Sequence, residues 1–263
     1  PELASADIGE PMRKLSFWKY SIPLGKPRLV LKRKSRAFWK VLSDYGIFST
    51  ILRVPITFPP EKFKGLLLAS MSVPDLNGTQ GTFSYYTSDP EEQARFTGGV
   101  QVPVEVKNGT VRSFITGPPN PLLKKPEEMR IPFEVELRKE TDSVKITLGK
   151  ETIDLRKGEY TPWTRIAFNA GLGIKIRGIC RFYLKEVHPF LKLYLSPLNI
   201  DPEKPGLPIS HPFTYSVYLA KTQGDFCTLG LSEDTWALNE RVLDEDAFLR
   251  QTLLIHQERE RMF

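Results

Sequence analysis

Apolar and polar residues alternate strictly in several short segments between residues 98 and 200. Alternation puts successive side chains on opposite faces of a β-strand, one face toward a core and the other toward solvent. Turn formers such as Asn108-Gly109, a pair typical of two-residue hairpins, separate these segments. Roughly seven or eight short strands in about a hundred residues predict an inserted antiparallel all-β module, either a sandwich or a barrel. The first alternating positions are Val100, Val102, Val104, Val106, Ile131, Phe133, Val135 and Leu137.

Residues 36–97, before this module, have the pattern of an α/β fold. A helix is predicted from Arg36 to Tyr45, with Gly46 placed to end it, because apolar residues recur there at the spacing of one helix face. Strands are predicted over 47–54 and from Leu66 onward. This order indicates part of an α/β core, although the short connection between the two strands leaves their arrangement in the sheet open. The apolar helix positions are Phe38, Val41, Leu42 and Tyr45.

Residues 201–263 are predicted to return to the core as helices. Ser210 or His211 is placed to cap one helix, which Gly224 is placed to end. Asp244 is placed to cap the last helix, whose pattern continues to the end of the chain. A helix that runs on without a stop signal indicates a truncated chain.

Basic residues are concentrated in the segment from Arg13 to Lys40, which holds ten Lys or Arg residues and no acidic one. The rest of the chain carries 27 basic residues against 31 acidic ones, within an overall net charge of +6. With its interleaved aromatic residues, the segment could bind nucleic acid or an anionic membrane surface. No nucleic-acid-binding motif accompanies it, so a solvated arm lying over an acidic neighbouring surface is favoured. Residues 1–35 are accordingly predicted to be a basic extended arm.

The composition, with 40% hydrophobic and 26% charged residues, is that of a soluble globular protein. No apolar run approaches the roughly 18 residues needed to cross a bilayer, and no signal peptide is recognisable. The cellular compartment is left open by these features.

The side chains that usually carry catalysis are sparse. The three histidines, His188, His211 and His256, are not in a metal-ligand spacing, and a capping or packing role is favoured for His211. For Cys180 and Cys227, which lie far apart, two buried free thiols are predicted, with one disulfide as the alternative. The motifs GxSxG, GxxxxGK[ST] and GxGxxG of common nucleophile and nucleotide sites do not occur. These residues alone are therefore not expected to be a complete enzyme.

The stretch from Leu66 to Thr82 is the first place to look for a site. An unbroken apolar run predicts a strand covered on both faces, and Pro74 and Asp75 then break it into a loop of small polar residues. In open α/β sheets, ligands lie beyond the carboxyl ends of the strands, on loops that the sheet holds in place. The alternative is a plain surface turn, because Pro-Asp and Asn-Gly pairs are common turn formers.

Several short motifs occur in one order from about Phe38 to the end of the chain. They are Phe38-Trp39-Lys40-Val41-Leu42 with Gly46, Val54-Pro55-Ile56-Thr57-Phe58-Pro59-Pro60-Glu61, Met71-Ser72-Val73-Pro74-Asp75, Gly78-Thr79-Gln80-Gly81-Thr82-Phe83, Leu195 to Pro202, Leu207 to Ser210, and Gly230 to Leu238. In these motifs the sequence resembles the alkaline phosphatase superfamily. More narrowly, it is similar to the predicted phosphohydrolase, phosphomutase and type I phosphodiesterase/nucleotide pyrophosphatase-like branch.

The resemblance implies that the whole protein is a metal-dependent phosphohydrolase or phosphodiesterase. Two divalent metal ions, Zn²⁺ or Mn²⁺, would hold the attacking and leaving oxygens of a phosphorylated small molecule or a phosphodiester. In the family, an Asp and a Ser or Thr nucleophile precede the matched region, and Asp and His ligands follow it. The chain would then be the middle of such a protein, without catalytic residues or bound metal of its own, and its partners would be the flanking segments of the fold. Its candidates for the active-site rim are Asp75, Thr79, Gln80 and Thr82, with His211 behind them.

A non-catalytic binding module is the alternative function. The β region would then recognise a carbohydrate, a lipid headgroup or a protein through exposed aromatic side chains. The candidates are Tyr160, Trp163, Phe182 and Tyr183. Aromatic residues in the core of a β module are the favoured explanation of all four.

Overall fold

The computed structural model describes residues 6–9, 14–23, 28–92 and 95–263. These residues form a mixed α/β fold that is mostly β-sheet, with eighteen strands and four α-helices. The strands are β1 (Ala6–Gly9), β2 (Lys14–Phe17), β3 (Tyr20–Pro23), β4 (Arg28–Leu31), β5 (Ser49–Leu52), β6 (Gly65–Leu68), β7 (Phe83–Thr87), β8 (Gly99–Pro103), β9 (Thr110–Pro119), β10 (Glu128–Arg138), β11 (Ser143–Leu148), β12 (Glu151–Arg156), β13 (Thr164–Gly171), β14 (Ile174–Cys180), β15 (Phe182–Glu186), β16 (Lys192–Leu195), β17 (Asn199–Ile200) and β18 (Ser210–His211). The helices are α1 (Phe38–Asp44), α2 (Thr214–Gln223), α3 (Thr235–Asn239) and α4 (Glu245–Glu260).

Antiparallel sheets dominate the region that the alternation marks. The first sheet has the strand order β12, β11, β10, β9. The second has the order β13, β14, β17, and the third has the order β15, β16, β7, β8. Side chains from all three sheets share one hydrophobic cluster, with Phe133, Val135 and Ile146 at its centre. The alternating residues from Ile131 to Leu137 therefore face a common core, as predicted, and so do Val102 and Val104. The prediction was wrong for Val100 and Val106, which are 52% and 37% exposed.

One strand of this region pairs differently from the prediction. The turn at Asn108-Gly109 has φ values of 51° and 75°, and Lys107 and Thr110 exchange hydrogen bonds across it, as a two-residue hairpin requires. However, β8 pairs in parallel with β7, Tyr86 lying opposite Val102. Alternation determines which side chains of a strand are buried, but it carries no information about the neighbouring strand.

The helix predicted after residue 36 is present, but it buries a different face. Trp39 is the buried residue of α1 and packs beside Ile51. Phe38 and Tyr45, predicted to face the core, are 57% and 80% exposed. A helix of only two turns offers too few positions for spacing to identify its buried face, so the Trp39 contacts decide it.

β6 is the central strand of a small mixed sheet. It pairs in parallel with β5, Ile51 lying opposite Leu67, and antiparallel with β18 on its other side. Leu67 and Leu68 are completely buried or nearly so, in agreement with the apolar run that predicted a doubly covered strand. The short connection between β5 and β6 is thus sufficient for a parallel crossover.

The basic N-terminal segment contains strands where an extended arm was expected. β1 pairs with β4, and β2 and β3 form a hairpin. Nothing in the hydropathy of residues 1–35 indicates these pairings. Arg13 and Lys26, two of the ten basic residues, lie outside the described residues.

The C-terminal helices follow most of their predicted signals. Gly224 ends α2 with a φ of +90°, and Asp244 caps α4 by accepting a 2.8 Å hydrogen bond from the Ala247 amide. His211 does not cap α2, because it lies in β18, although the Ser210 hydroxyl accepts a hydrogen bond from the Ser216 amide in the first turn of α2. The helical pattern predicted to the last residue stops earlier, since α4 ends at Glu260.

Both cysteines, Cys180 and Cys227, are buried free thiols, as predicted. None of the helices in the described ranges combines the length and the apolar character that crossing a bilayer requires.

Candidate functional site

The loop that follows β6 is organised by the carboxylate of Asp75, which is 1% exposed. Its Oδ1 accepts a 2.8 Å hydrogen bond from the Thr79 amide. Its Oδ2 accepts bonds from the Thr79 hydroxyl at 2.6 Å and from the Thr82 amide at 3.0 Å. The backbone closes the same turn, because the Asp75 amide donates to the Thr79 carbonyl at 2.9 Å. Asp75 therefore holds the loop in one conformation.

Asp75 is unsuited to chemistry on a ligand. Burial raises the pKa of its carboxyl above the usual range, and the hydrogen bonds from Thr79 and Thr82 offset only part of that rise. The side chain is buried and both oxygens accept hydrogen bonds inside the loop, so a ligand would have to displace these contacts to reach it. Its function here is to position its neighbours.

The hydroxyls of Thr79 and Thr82 lie 2.8 Å apart, and both residues line a cavity of about 550 Å³. The loop supplies one wall of this cavity, and β7, β8, β9 and β10 supply most of the rest, together with Leu198. We call this cavity the loop–sheet groove. Its polar lining consists mainly of hydroxyls, those of Thr79, Thr82, Ser84, Ser113 and Thr116.

The remaining lining of the loop–sheet groove is mixed. Asn77 contributes an amide oxygen, Oδ1, that is buried without a hydrogen-bond partner. Arg130 is the one basic residue among the described residues that line it, and its guanidinium lies 3.6 Å from the carboxylate of Glu128. Val100, Val102 and Phe114 provide apolar surface. The groove therefore suits a polar ligand of low charge better than a free phosphate.

Gly81 fixes the loop against the C-terminal part of the chain. Its φ of +118° favours glycine, and a Cβ at this position would lie 2.9 Å from Cδ2 of Leu229. The close approach keeps the end of the loop packed beside Pro197 and Leu229. A larger residue at position 81 would push the loop away from this support.

The other two predicted rim residues lie apart from the loop–sheet groove. Gln80 is exposed and does not line it. His211 is on β18, where its Nε2 lies 3.1 Å from the Phe63 carbonyl and its ring is 5.7 Å from the Phe63 ring. The structure thus brings together Asp75, Thr79 and Thr82, and places His211 on β18, an edge strand of the sheet that contains β6.

The resemblance implies two divalent metal ions whose ligands lie outside this chain. Within the described ranges, no three His, Cys, Asp or Glu side chains converge on one point as metal ligands would. The buried carboxylate of Asp75, in the loop that forms one wall of the loop–sheet groove, accepts its hydrogen bonds from Thr79 and Thr82. No chemical step through a metal is derived from this chain.

The four aromatic residues considered for a binding module do not form an exposed binding surface. Phe182 and Tyr183 are buried. Tyr160 and Trp163 are half-buried beneath α4, where the Tyr160 hydroxyl donates to the Ala247 carbonyl and the Trp163 Nε1 to Glu258. These four side chains support the core and the docking of α4.

Sequence reasoning did not identify a buried ion pair beneath α4. The Glu258 carboxylate accepts bonds from Trp163 Nε1 and from Arg181 at 2.8 Å each, and from the Cys227 amide at 2.9 Å. The Arg181 guanidinium also lies 4.4 Å from the Trp163 ring centroid. These partners are scattered along the chain, so no local pattern could have revealed them.

No family model matches this chain, and no curated protein or solved structure is significantly similar to it. The resemblance in the short motifs therefore stays a prediction.

Proposed function

We propose that this chain is the scaffold and the substrate-surrounding part of a metal-dependent phosphohydrolase or phosphodiesterase of the alkaline phosphatase superfamily. The observation that carries the proposal is the loop–sheet groove. Its first wall is the loop after the central strand β6, and its second wall is built from strands of the β module. Substrates of open α/β sheets bind at loops of this kind.

In this proposal, the sheet of β5, β6 and β18 with α1 and α2 belongs to the α/β core, and residues 98–200 are an insertion folded as a sandwich or barrel. The parallel pairing of β5 with β6 supports the first assignment. The three sheets that share one hydrophobic cluster support the second, since their strands pair antiparallel except at β7 and β8. β7, which precedes residue 98, joins the third of these sheets. The nucleophile and the metal ligands would come from flanking segments of the fold, and the two ions would supply Lewis-acid activation of the phosphate.

The chemistry of the loop–sheet groove suggests which part of a substrate it would hold. Hydroxyls donate and accept hydrogen bonds, which matches the hydroxyls of a sugar or another alcohol. A phosphate dianion would need cationic partners, and the one basic residue of the lining, Arg130, already faces Glu128. The groove would therefore hold the alcohol portion of a phosphoric ester, with the phosphate at the metal ions.

Hydrolysis of bis(p-nitrophenyl) phosphate with Mn²⁺ or Zn²⁺ tests the family. We expect background rates from this chain and metal-dependent turnover from the protein with its flanking segments restored. A restored protein that is folded, as judged by circular dichroism, yet inactive with phosphomonoesters and phosphodiesters would contradict the proposal.

A pair of valine variants in the restored protein tests the role of the loop–sheet groove. Val100→Trp places a large ring in the groove and is expected to raise KM severalfold while leaving the metal-dependent step intact. Val106→Trp, on a valine outside the lining that is also partly exposed, is the matched control. If both variants raise KM equally, the loop–sheet groove is not part of the substrate site.

Carbohydrate binding without catalysis is the second candidate function, and the five hydroxyls of the loop–sheet groove favour it. Glycan binding by this chain alone, abolished by Val100→Trp and kept by Val106→Trp, would support it. Metal-dependent hydrolysis by the restored protein would favour the first candidate.

A further inference from the structure

We propose that one end of the β module binds the surface of an anionic lipid membrane. This end consists of the tip of the β2–β3 hairpin, the β13–β14 turn and residues 121–126, and we call it the basic–apolar tip. The inference does not depend on the proposed function.

Large apolar side chains project from two turns at this end. Phe17 and Trp18, at the tip of the β2–β3 hairpin, are 74% and 75% exposed. Leu172 and Ile174, in and after the β13–β14 turn, are 58% and 43% exposed. Single exposed apolar residues are common, but four on two neighbouring turns need an apolar partner.

The two turns are held on the same side of the molecule. Tyr20 packs on the core of the β module, and a Cβ at Gly171 would lie 3.9 Å from the Tyr20 hydroxyl. The hairpin is also bonded to the connector before β10, since the Ser21 amide donates to Leu122 at 2.8 Å and the Lys124 amide to Lys19 at 3.0 Å. The hairpin and the β13–β14 turn are therefore held next to each other, so a single surface can contact both.

Positive charge surrounds these apolar residues. Segments 14–23, 121–126 and 169–177 hold six basic residues and no acidic one. Lys19, Lys124 and Lys125 line a shared cavity of about 380 Å³, where Glu127 is the one acidic residue. The Lys19 ammonium lies 5.2 Å from the Trp18 ring centroid, beside the hairpin tip. The remaining basic residues are Lys14, Lys175 and Arg177.

The combination of side chains favours a lipid surface over nucleic acid. Lysines attract an anionic surface in either case. Phe17 and Trp18 could stack on bases, but Leu172 and Ile174 have no π-face and gain only by entering an apolar phase. Trp in particular is enriched at the level of lipid headgroups. A membrane with anionic lipids satisfies all four apolar residues and the lysines together.

Vesicle co-sedimentation of the full chain tests the proposal, with phosphatidylcholine vesicles that contain or lack phosphatidylserine. We expect binding that requires phosphatidylserine and weakens with salt. The pair Phe17→Ser with Trp18→Asn removes the apolar tip, and we expect affinity to fall about tenfold or more. Asn suits position 18 because the φ there is 49°. Tyr45→Ser, at a similarly exposed aromatic residue directly after α1, is the matched control and is expected to bind normally.

A second pair of variants tests the positive charge of the basic–apolar tip. Lys124→Glu with Lys125→Glu is expected to lower affinity by about 25-fold or more, since each lysine near an anionic surface contributes about fivefold. Lys139→Glu with Lys150→Glu makes the same change in net charge at exposed turns elsewhere on the β module and is expected to bind normally.

Three results would overturn the proposal. They are no vesicle binding by the unmodified chain, equal binding with and without phosphatidylserine, and vesicle binding that both tip variants retain. Salt-dependent binding to single-stranded DNA without vesicle binding would assign the basic–apolar tip to nucleic acid instead.

Discussion

Replacing Glu258 should test whether α4 is locked to the β module by a buried ion pair. The side chains of Arg181 and Glu258 are 11% and 5% exposed. Glu258 is the acceptor for Arg181, for Trp163 Nε1 and for the Cys227 amide. Two other guanidinium nitrogens of Arg181, Nε and Nη1, are buried and have no hydrogen-bond partner in the part of the chain that the structure describes. The charge of Arg181 therefore depends on this one carboxylate.

The magnitude follows from what Glu258→Ala leaves behind. An unpaired buried charge costs about 3–5 kcal/mol when its partner is removed. The ring of Trp163 still faces Arg181, so the lower half of that range is expected. Glu258→Gln keeps the shape and one acceptor oxygen and is expected to cost about 1–3 kcal/mol. The free energy of unfolding of most domains is only about 5–15 kcal/mol. Glu258→Gln is therefore the variant expected to stay folded, so that its stability can be measured.

Urea unfolding followed by circular dichroism is the assay, with the free energy of unfolding taken from the midpoint and slope. Glu260→Ala is the matched control, since Glu260 lies on the same helix, is 66% exposed and faces His256 at 3.3 Å. An exposed pair of this kind contributes at most about 0.5 kcal/mol. If Glu258→Ala and Glu260→Ala destabilise equally, the buried ion pair does not hold α4 in place.

Three further changes test the loop, a buried carboxyl and a helix cap. Asp75→Ala is expected to cost about 2 kcal/mol in the free energy of unfolding and to speed hydrogen exchange of the Thr79 and Thr82 amides, because it removes three hydrogen bonds; unchanged exchange would contradict this role. Burial raises the pKa of Asp234 from 3.8 to about 6, so the folded state binds the proton more tightly and stability should fall by about 3 kcal/mol as the pH rises from about 4 to 6. Asp234→Asn should flatten that part of the stability–pH curve, and an unaltered slope would refute the assignment. Asp244→Ala should cost about 1 kcal/mol in urea unfolding, and Asp244→Ser should restore most of it as an alternative cap; if both cost the same, the cap is not the cause.

Only part of the candidate site could be predicted from residues that are close together in the sequence. Asp75, Thr79 and Thr82 lie within eight residues, and the structure does group them. Their contacts are with one another, however, and the opposite wall of the loop–sheet groove comes from β9 and β10, which follow later in the chain. His211 was expected behind them, and its contact lies with the Phe63 carbonyl instead.

Features that depend on a few consecutive residues were determined by the sequence itself. The alternation of β10 and β11, the turn at Asn108-Gly109 and the cap at Asp244 all follow from geometry within a few peptide units. The doubly buried strand β6 was equally evident from its apolar run.

Only the tertiary structure decided which elements meet. The parallel pairings of β5 with β6 and of β7 with β8, and the contact of Arg181 with Glu258, 77 positions apart, depend on packing between distant segments. The same holds for the buried face of α1 and for the hairpin of β2 and β3 at the basic end of the chain. A hydropathy pattern records that a side chain is buried, but the partner that buries it is chosen by the shape and chemistry of the whole core.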